Sequence, residues 1–167
     1  MDAALLFVRL VIGLAMAAHG AQKLFGWFGG YGLAGTGGFL EGLGFRPGRV
    51  FAFFAGLGEM GGGLLMALGL AGALGPAIIV MVMLVAIFSV HISKGFFITN
   101  GGWELNACYI ASAVAVAYVG NGAYSLDRAF GLDVLGSTQA ATILMVAAIV
   151  LAGLNLLARR PAPQQTS

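Results

Sequence analysis

Two histidines, two lysines and two glutamates stand in apolar surroundings where ionisable groups are costly, and their spacing invites chemistry. His19 is followed four residues later by Lys23, and His91 three residues later by Lys94. Each pair shares a face if its segment is helical. Glu59 sits in the middle of a long glycine-rich apolar run, Glu104 opens another, and Arg9 lies inside a third. Imidazoles beside ammonium and carboxylate groups can hold an oxygen-bearing ligand and exchange protons with it. In that arrangement His19 and His91 serve the ligand oxygens, Lys23 and Lys94 flank them, and Glu59 or Glu104 relays protons. Trp27, Asn100 and Trp103 stand in adjoining loops beside Gly29-Gly30 and Gly101-Gly102, where rings and turns can close over a flat ligand.

The elements that must position these groups are membrane helices. The chain has 167 residues, 60% of them apolar, with eight basic residues, six acidic residues and 28 glycines. Soluble domains are about 45–50% apolar and about 25% charged, so these charges are too few to cover a water-facing surface. Glycine, a poor residue for a soluble helix, is tolerated where membrane helices pack closely. Hydrophobic runs at 3–24, 49–73, 76–95, 103–120 and 138–158 each approach the ~20 residues that span a bilayer. They predict an all-α integral membrane protein with five spanning helices. Asp2 and Arg9 distinguish the first run from a cleaved leader. Pro76 suits a helix start, Arg46-Pro47-Gly48-Arg49 breaks the chain before the second run, and Ser137 or Thr138 can cap the fifth. The net charge of +2, scattered singly, excludes a nucleic-acid surface. The single Cys108 excludes an internal disulfide, a CxxC pair and a thiolate metal cage.

On the first helix Arg9, Ile12, Met16, His19 and Lys23 fall on one face. Glu59 shares its face with Ala52, Ala55, Gly56, Gly62, Gly63 and Met66, and Gly58 with Gly62 forms a GxxxG pair. At 1.5 Å per residue, Arg9 falls within about one turn of the depth of Glu59. A buried Arg9–Glu59 ion pair is therefore expected, alongside a proton-carrying role for Glu59. His19, Lys23, His91, Lys94 and Glu104 form one layer near one membrane surface, with Trp27, Asn100 and Trp103 above it. The aromatic loops 25–31 and 96–103 read either as an interfacial belt or as the mouth of a cavity for a flat lipidic molecule. Both follow a His-Lys helix exit, an echo consistent with a parallel repeat. Lys23, Arg46, Arg49, Lys94, Arg159 and Arg160 fall on one side of a five-span chain, and Arg9 and Arg128 on the other. The basic side is expected in the cytoplasm, with the N-terminus outside.

The strings Arg9-Leu-Val-Ile-Gly-Leu, His19-Gly-Ala-Gln-Lys23-Leu-Phe-Gly-Trp-Phe-Gly-Gly, Gly32-Leu-Ala-Gly-Thr36, Ala55-Gly-Leu-Gly-Glu59, Val90-His91, Gly101-Gly-Trp-Glu104-Leu and Tyr124-Ser-Leu-Asp127 resemble the DoxX family of small bacterial and archaeal membrane proteins. The resemblance implies a DoxX-like four-helix transmembrane bundle over 1–130, with an additional transmembrane helix at 138–158 and a polar tail at 159–167. It also implies an oxidoreductase-like subunit of the plasma membrane. Relatives include subunits of a quinol oxidase and of a thiosulfate:quinone oxidoreductase, and a membrane partner of redox enzymes. The leading expectation is a quinone or quinol site near the cytoplasmic side that works in electron transfer with another redox protein or a second copy. No flavin, iron–sulfur or dinucleotide fingerprint is present in the sequence, so electrons are expected to come from another subunit or another cofactor. A non-catalytic anchor for soluble redox enzymes is the main alternative. Haem b held between His19 and His91 and a solute pathway are minor ones.

Overall fold

The computed structural model describes residues 1–132 and 135–160. The part of the tail at 161–167 lies outside the described residues. The helices are α1 (Asp2–Phe25), the short α2 (Gly32–Gly42), α3 (Gly48–Leu68), α4 (Leu74–Ala86), α5 (Glu104–Val119), the single turn α6 (Leu126–Phe130) and α7 (Thr138–Leu157). Beyond Ala86, α4 continues through a widened π turn at Ile87–His91 and a tight 3₁₀ turn at Ile92–Lys94. No strand occurs among the described residues. Four segments are long and apolar enough to cross a membrane: Asp2–Phe25, Gly48–Leu68, Leu74–Lys94 and Thr138–Leu157. At 16 residues α5 is shorter, reaching about 24 Å.

Local signals account for most boundaries. Gly69 takes a left-handed conformation (φ 63°) and stops α3 at Leu68, so the second hydrophobic run is helical over less than its apolar length. Pro76 stands in the first turn of α4, where its missing N–H breaks no helical bond. The Ser137 hydroxyl accepts from the Ala140 N–H at 3.1 Å and caps α7.

The antiparallel pair α1 and α3 is packed backbone to backbone. A Cβ built on Gly13 would lie 2.5 Å from the Gly63 carbonyl oxygen, and one on Gly20 would lie 2.5 Å from that of Gly56. Gly58 and Gly62, the pair that reads as GxxxG, face Ile78 and Gly75 of α4 instead. α4 is the central helix, flanked by α3, α5 and α7. Its Ile79, Val80 and Met83 are buried among Met16, Met66, Ala113, Val116 and Met145. α7 lays Ala141, Met145, Ala148 and Ala152 against the bundle and exposes Ile143, Val146, Ile149, Val150 and Leu154 on its outer side. An outward-facing aliphatic surface of this kind belongs in lipid.

The six basic residues expected on one side do gather at one end of the bundle, here termed the basic end. Arg159 Nε donates to the Leu43 carbonyl at 3.0 Å, and the Arg160 N–H to that of Gly44 at 2.8 Å, so the exit of α7 is tied to the link between α2 and α3. At the opposite end, Arg9 is 1% exposed. It donates to the carbonyls of Asn121, of Tyr124 at 2.6 Å and of Ala67 at 3.5 Å. Asp127 accepts from the N–H groups of Ala71 and Gly72 at 2.8 and 2.7 Å and from the Asn121 amide at 2.8 Å.

The glycine seam predicts a contrast between neighbours on one helix. Gly63→Ala drives a Cβ into the Gly13 carbonyl and should destabilise the protein by about 1–3 kcal/mol. The Cβ of Gly61→Ala meets nothing within 4 Å and should be neutral or stabilising by up to about 1 kcal/mol. Thermal unfolding in one detergent, read for both variants, checks this.

Candidate functional site

The α1–α3 register decides which charges meet. With Gly13 against Gly63 and Gly20 against Gly56, Arg9 falls opposite Ala67, about two helical turns from Glu59. Side chains also lean toward the N-terminus of their own helix. In an antiparallel pair Arg9 and Glu59 therefore lean apart, while Lys23 and Glu59 lean toward each other. The expected Arg9–Glu59 pair is accordingly not formed. Glu59, with a side chain 4% exposed, pairs with Lys23 at 2.5 Å, and among the described residues this is the one salt bridge. The Arg9 terminal nitrogens donate to the carbonyls of Asn121, Tyr124 and Ala67 instead, and its buried Nε has no partner among the described residues.

Lys23 and Glu59 lie on the wall of a cavity of about 380 Å³ toward the basic end of the bundle. His19 on α1, His91 at the end of α4, and Asn106 and Tyr109 on α5 line the same space. Thr36 and Ser89 add two hydroxyls, and the remaining wall is apolar, including Phe39 and Leu40 of α2, Val82, Met83 and Leu105. Four ionisable side chains, His19, Lys23, Glu59 and His91, thus converge with Asn106 and Tyr109 from four helices in a mainly apolar wall. A second, outer cavity of about 550 Å³ shares Lys23, Thr36 and Phe39 with the first and is bounded by Gln22, Gly29, Gly30 and Tyr31. Lys23 stands between the two, 30% exposed.

The hydrogen bonds fix the polarity of both imidazoles. His91 Nδ1 lies 2.7 Å from the Gly101 carbonyl oxygen, which can only accept, so Nδ1 carries the proton. The Gln22 amide nitrogen donates to the Phe28 carbonyl at 3.1 Å, which turns its oxygen toward His19 Nδ1 at 3.2 Å. His19 therefore also donates from Nδ1. Its Nε2 accepts from the Tyr109 hydroxyl at 3.4 Å, with the two rings edge to face at 6.0 Å. In the neutral form each histidine presents Nε2 to its surroundings as an acceptor. The donors that line the cavity are the Lys23 ammonium, the Thr36, Ser89 and Tyr109 hydroxyls and the Asn106 amide; Ser89 donates to the Val85 carbonyl at 2.6 Å, and the Asn106 amide lies 3.4 Å from Met83 Sδ.

Not every expected residue is brought in. Lys94 is exposed and covers Gly101. His91 closes the π turn and Lys94 closes the 3₁₀ turn that follows it; His91 lines the cavity and Lys94 does not. Glu104 accepts from the Ile98 N–H at 3.0 Å and closes the 96–103 loop, so it does not line the cavity. Asn100 is exposed in the same loop. Trp103 packs edge-on against Phe96 at 4.7 Å, and Trp27 stacks on Phe25 at 4.9 Å. Phe39 and Tyr109 provide the aromatic wall in their place.

Asn106 and Tyr109 were not identified from the sequence, although they carry a signal. They lie three residues apart, followed at helical spacing by Ala113, Val116 and Ala117, and this is the buried face of α5. Among the described residues no group of three or more His, Cys, Asp or Glu side chains is placed to hold a metal ion.

The DoxX family model matches residues 4–92, more than half of the chain, and takes in His19, Lys23, Glu59 and His91. The chain belongs to the DoxX family. The match ends just past His91, so the α5 residues and all of α7 lie beyond it. No curated protein and no solved structure matches the chain.

If the Lys23–Glu59 bridge is the buried pair of this DoxX protein, removing one partner should cost about 3–5 kcal/mol. Lys23→Met and Glu59→Gln should each lower thermal stability and partly compensate in the double variant. Arg9→Met and Glu59→Gln should add independently. Compensation in the Arg9 pair and additivity in the Lys23 pair would contradict the register.

Proposed function

We propose that the cavity binds the head group of a quinol or quinone, and that this DoxX protein acts as a membrane-embedded redox subunit with a partner that carries the electrons. The convergence of His19, Lys23, Glu59, His91, Asn106 and Tyr109 on one apolar-walled cavity supports this reading most directly. At about 380 Å³ the cavity is within the ordinary range for small-molecule sites, where a few polar groups in an apolar lining fix orientation. A quinol hydroxyl is matched by the Nε2 acceptor of His91, and the other ring oxygen by the Lys23 ammonium. Oxidation releases two electrons and two protons. The protons have bases waiting at His91 Nε2 and at the Glu59 carboxylate, and Lys23 leads from the inner to the outer cavity. The electrons pass to a redox centre on the partner.

The polarity of the imidazoles favours the reduced form as ligand. A quinone carbonyl needs a donor, and a neutral histidine protonated on Nδ1 offers none at Nε2. Quinone is held through the Lys23 ammonium, or after a histidine is protonated. The family resemblance and the basic residue count support placement in a bacterial or archaeal plasma membrane, with the basic end in the cytoplasm and the N-terminus outside. Reporters fused at Ser167 and inserted at Leu132 should then report opposite sides, the first cytoplasmic.

Titrating a fluorescent quinol analogue into the wild type, His19→Ala, His91→Ala and the double variant tests the site. Loss of one neutral hydrogen bond costs about 0.5–1.5 kcal/mol, so each single change should weaken binding by up to about tenfold. One rigid ring touching both histidines makes the double change non-additive. Unchanged affinity in all three variants would favour a scaffold for soluble redox enzymes. A Soret band in the purified protein would favour haem b.

A further inference from the structure

The cavity has a second neighbour besides the outer chamber. A narrow slot of about 90 Å³ adjoins it, and Leu40, Ala55, Val82 and Val85 line both spaces. Beyond that shared wall the slot runs past Met81, Phe51 and Phe54 on the side of α4 that faces α3 and α7. Phe54 is 63% exposed on the outer surface of α3, so the slot ends where lipid begins. Among the described residues its one polar lining residue is Asn155 of α7. The roof is Phe45, 1% exposed, which the Arg159 guanidinium covers at 5.4 Å from the ring centroid.

We infer that the ligand carries a long apolar tail and that this slot is the path by which the tail leaves the cavity for the bilayer. The inference rests on the head-group reading above and narrows it to a lipid-borne quinol. A small water-soluble ring could use the outer chamber beside Lys23 and needs no passage toward lipid. An almost wholly apolar slot gives water too few partners to stay, whereas it matches an isoprenoid or alkyl chain. It lies between the polar cavity, behind the shared wall of Leu40, Ala55, Val82 and Val85, and the exposed Phe54 on the outer surface of α3. The same geometry gives α7 a role: its last turns wall the passage with Asn155, and its C-terminal arginines hold the roof in place.

Lipid is as apolar as the slot, so the passage supplies a route and little affinity. Blocking it should therefore act by steric exclusion on tailed ligands alone. Asn155→Phe and Met81→Trp each put bulk into the slot at positions that do not line the cavity. Two probes are titrated in lipid nanodiscs, a benzoquinol without a side chain and the same ring bearing three isoprene units. Both variants should bind the tailless ring as the wild type does and the tailed ring roughly tenfold more weakly. Wild-type affinity for the tailed ring, in either variant that still binds the tailless one, overturns the inference. Equal loss of both probes in both variants overturns it as well, because the slot then does not discriminate by tail. If the wild type binds neither probe, the head-group reading itself has failed, and this inference fails with it.

Discussion

The close approach of α1 and α3 governs the molecule. Gly13 and Gly20 on one helix and Gly56 and Gly63 on the other leave no side chain between the backbones, so the register between them is held by direct backbone contact. In lipid, where apolar side chains gain nothing by leaving the solvent, such contact is a principal source of helix association. The consequence is electrostatic as much as steric. The register sets Lys23 against Glu59 and sends Arg9 to the opposite end, where the carbonyls of Asn121 and Tyr124 receive it.

That division gives the two ends different work. At the Arg9 end, backbone carbonyls, Asp127 and Asn121 bond one another into a closed knot that ties the start of α1 to the loops after α3 and α5. A guanidinium suits this place because it cannot be deprotonated and its donors fan out to several carbonyls. At the basic end the polar groups are left partly open. Lys23 has one carboxylate partner and borders two cavities, and His91 has one ring nitrogen committed to Gly101. Structure is concentrated at one end and available chemistry at the other.

Irregular backbone positions the second half of the site. The π turn at Ile87–His91 changes the winding of α4 just before His91, which lines the cavity, and the 3₁₀ turn after it ends at Lys94, which is exposed. Glu104 then holds Ile98 and fixes the loop whose Gly101 carbonyl orients the His91 ring. The glutamate that reads as a proton relay is thus a support for the histidine, two contacts away. Gln22 does for His19 what Gly101 does for His91: each sets which nitrogen carries the proton.

Composition and hydrophobic run length alone determined that this is an all-helical membrane protein, because so few charges cannot clothe a soluble surface and the runs match a bilayer. Family landmarks at His19, Lys23, Glu59 and His91 were equally legible, since an ionisable residue in an apolar run is conspicuous at once. The partners of those residues were not. Depth counted along one helix ignores the register between helices and the direction in which side chains lean, so Arg9 seemed to reach Glu59 when Lys23 does. Spacing along one segment does not say which of two neighbouring side chains a cavity takes in: His91 lines it, and Lys94 lies over Gly101. Asn106, Tyr109 and Asn155 look like ordinary helix residues until neighbouring helices fold a cavity and a slot around them. Residue type and period are properties of one segment, whereas a site is a property of several, and only the packing of α1, α3, α4 and α5 decided which groups share it.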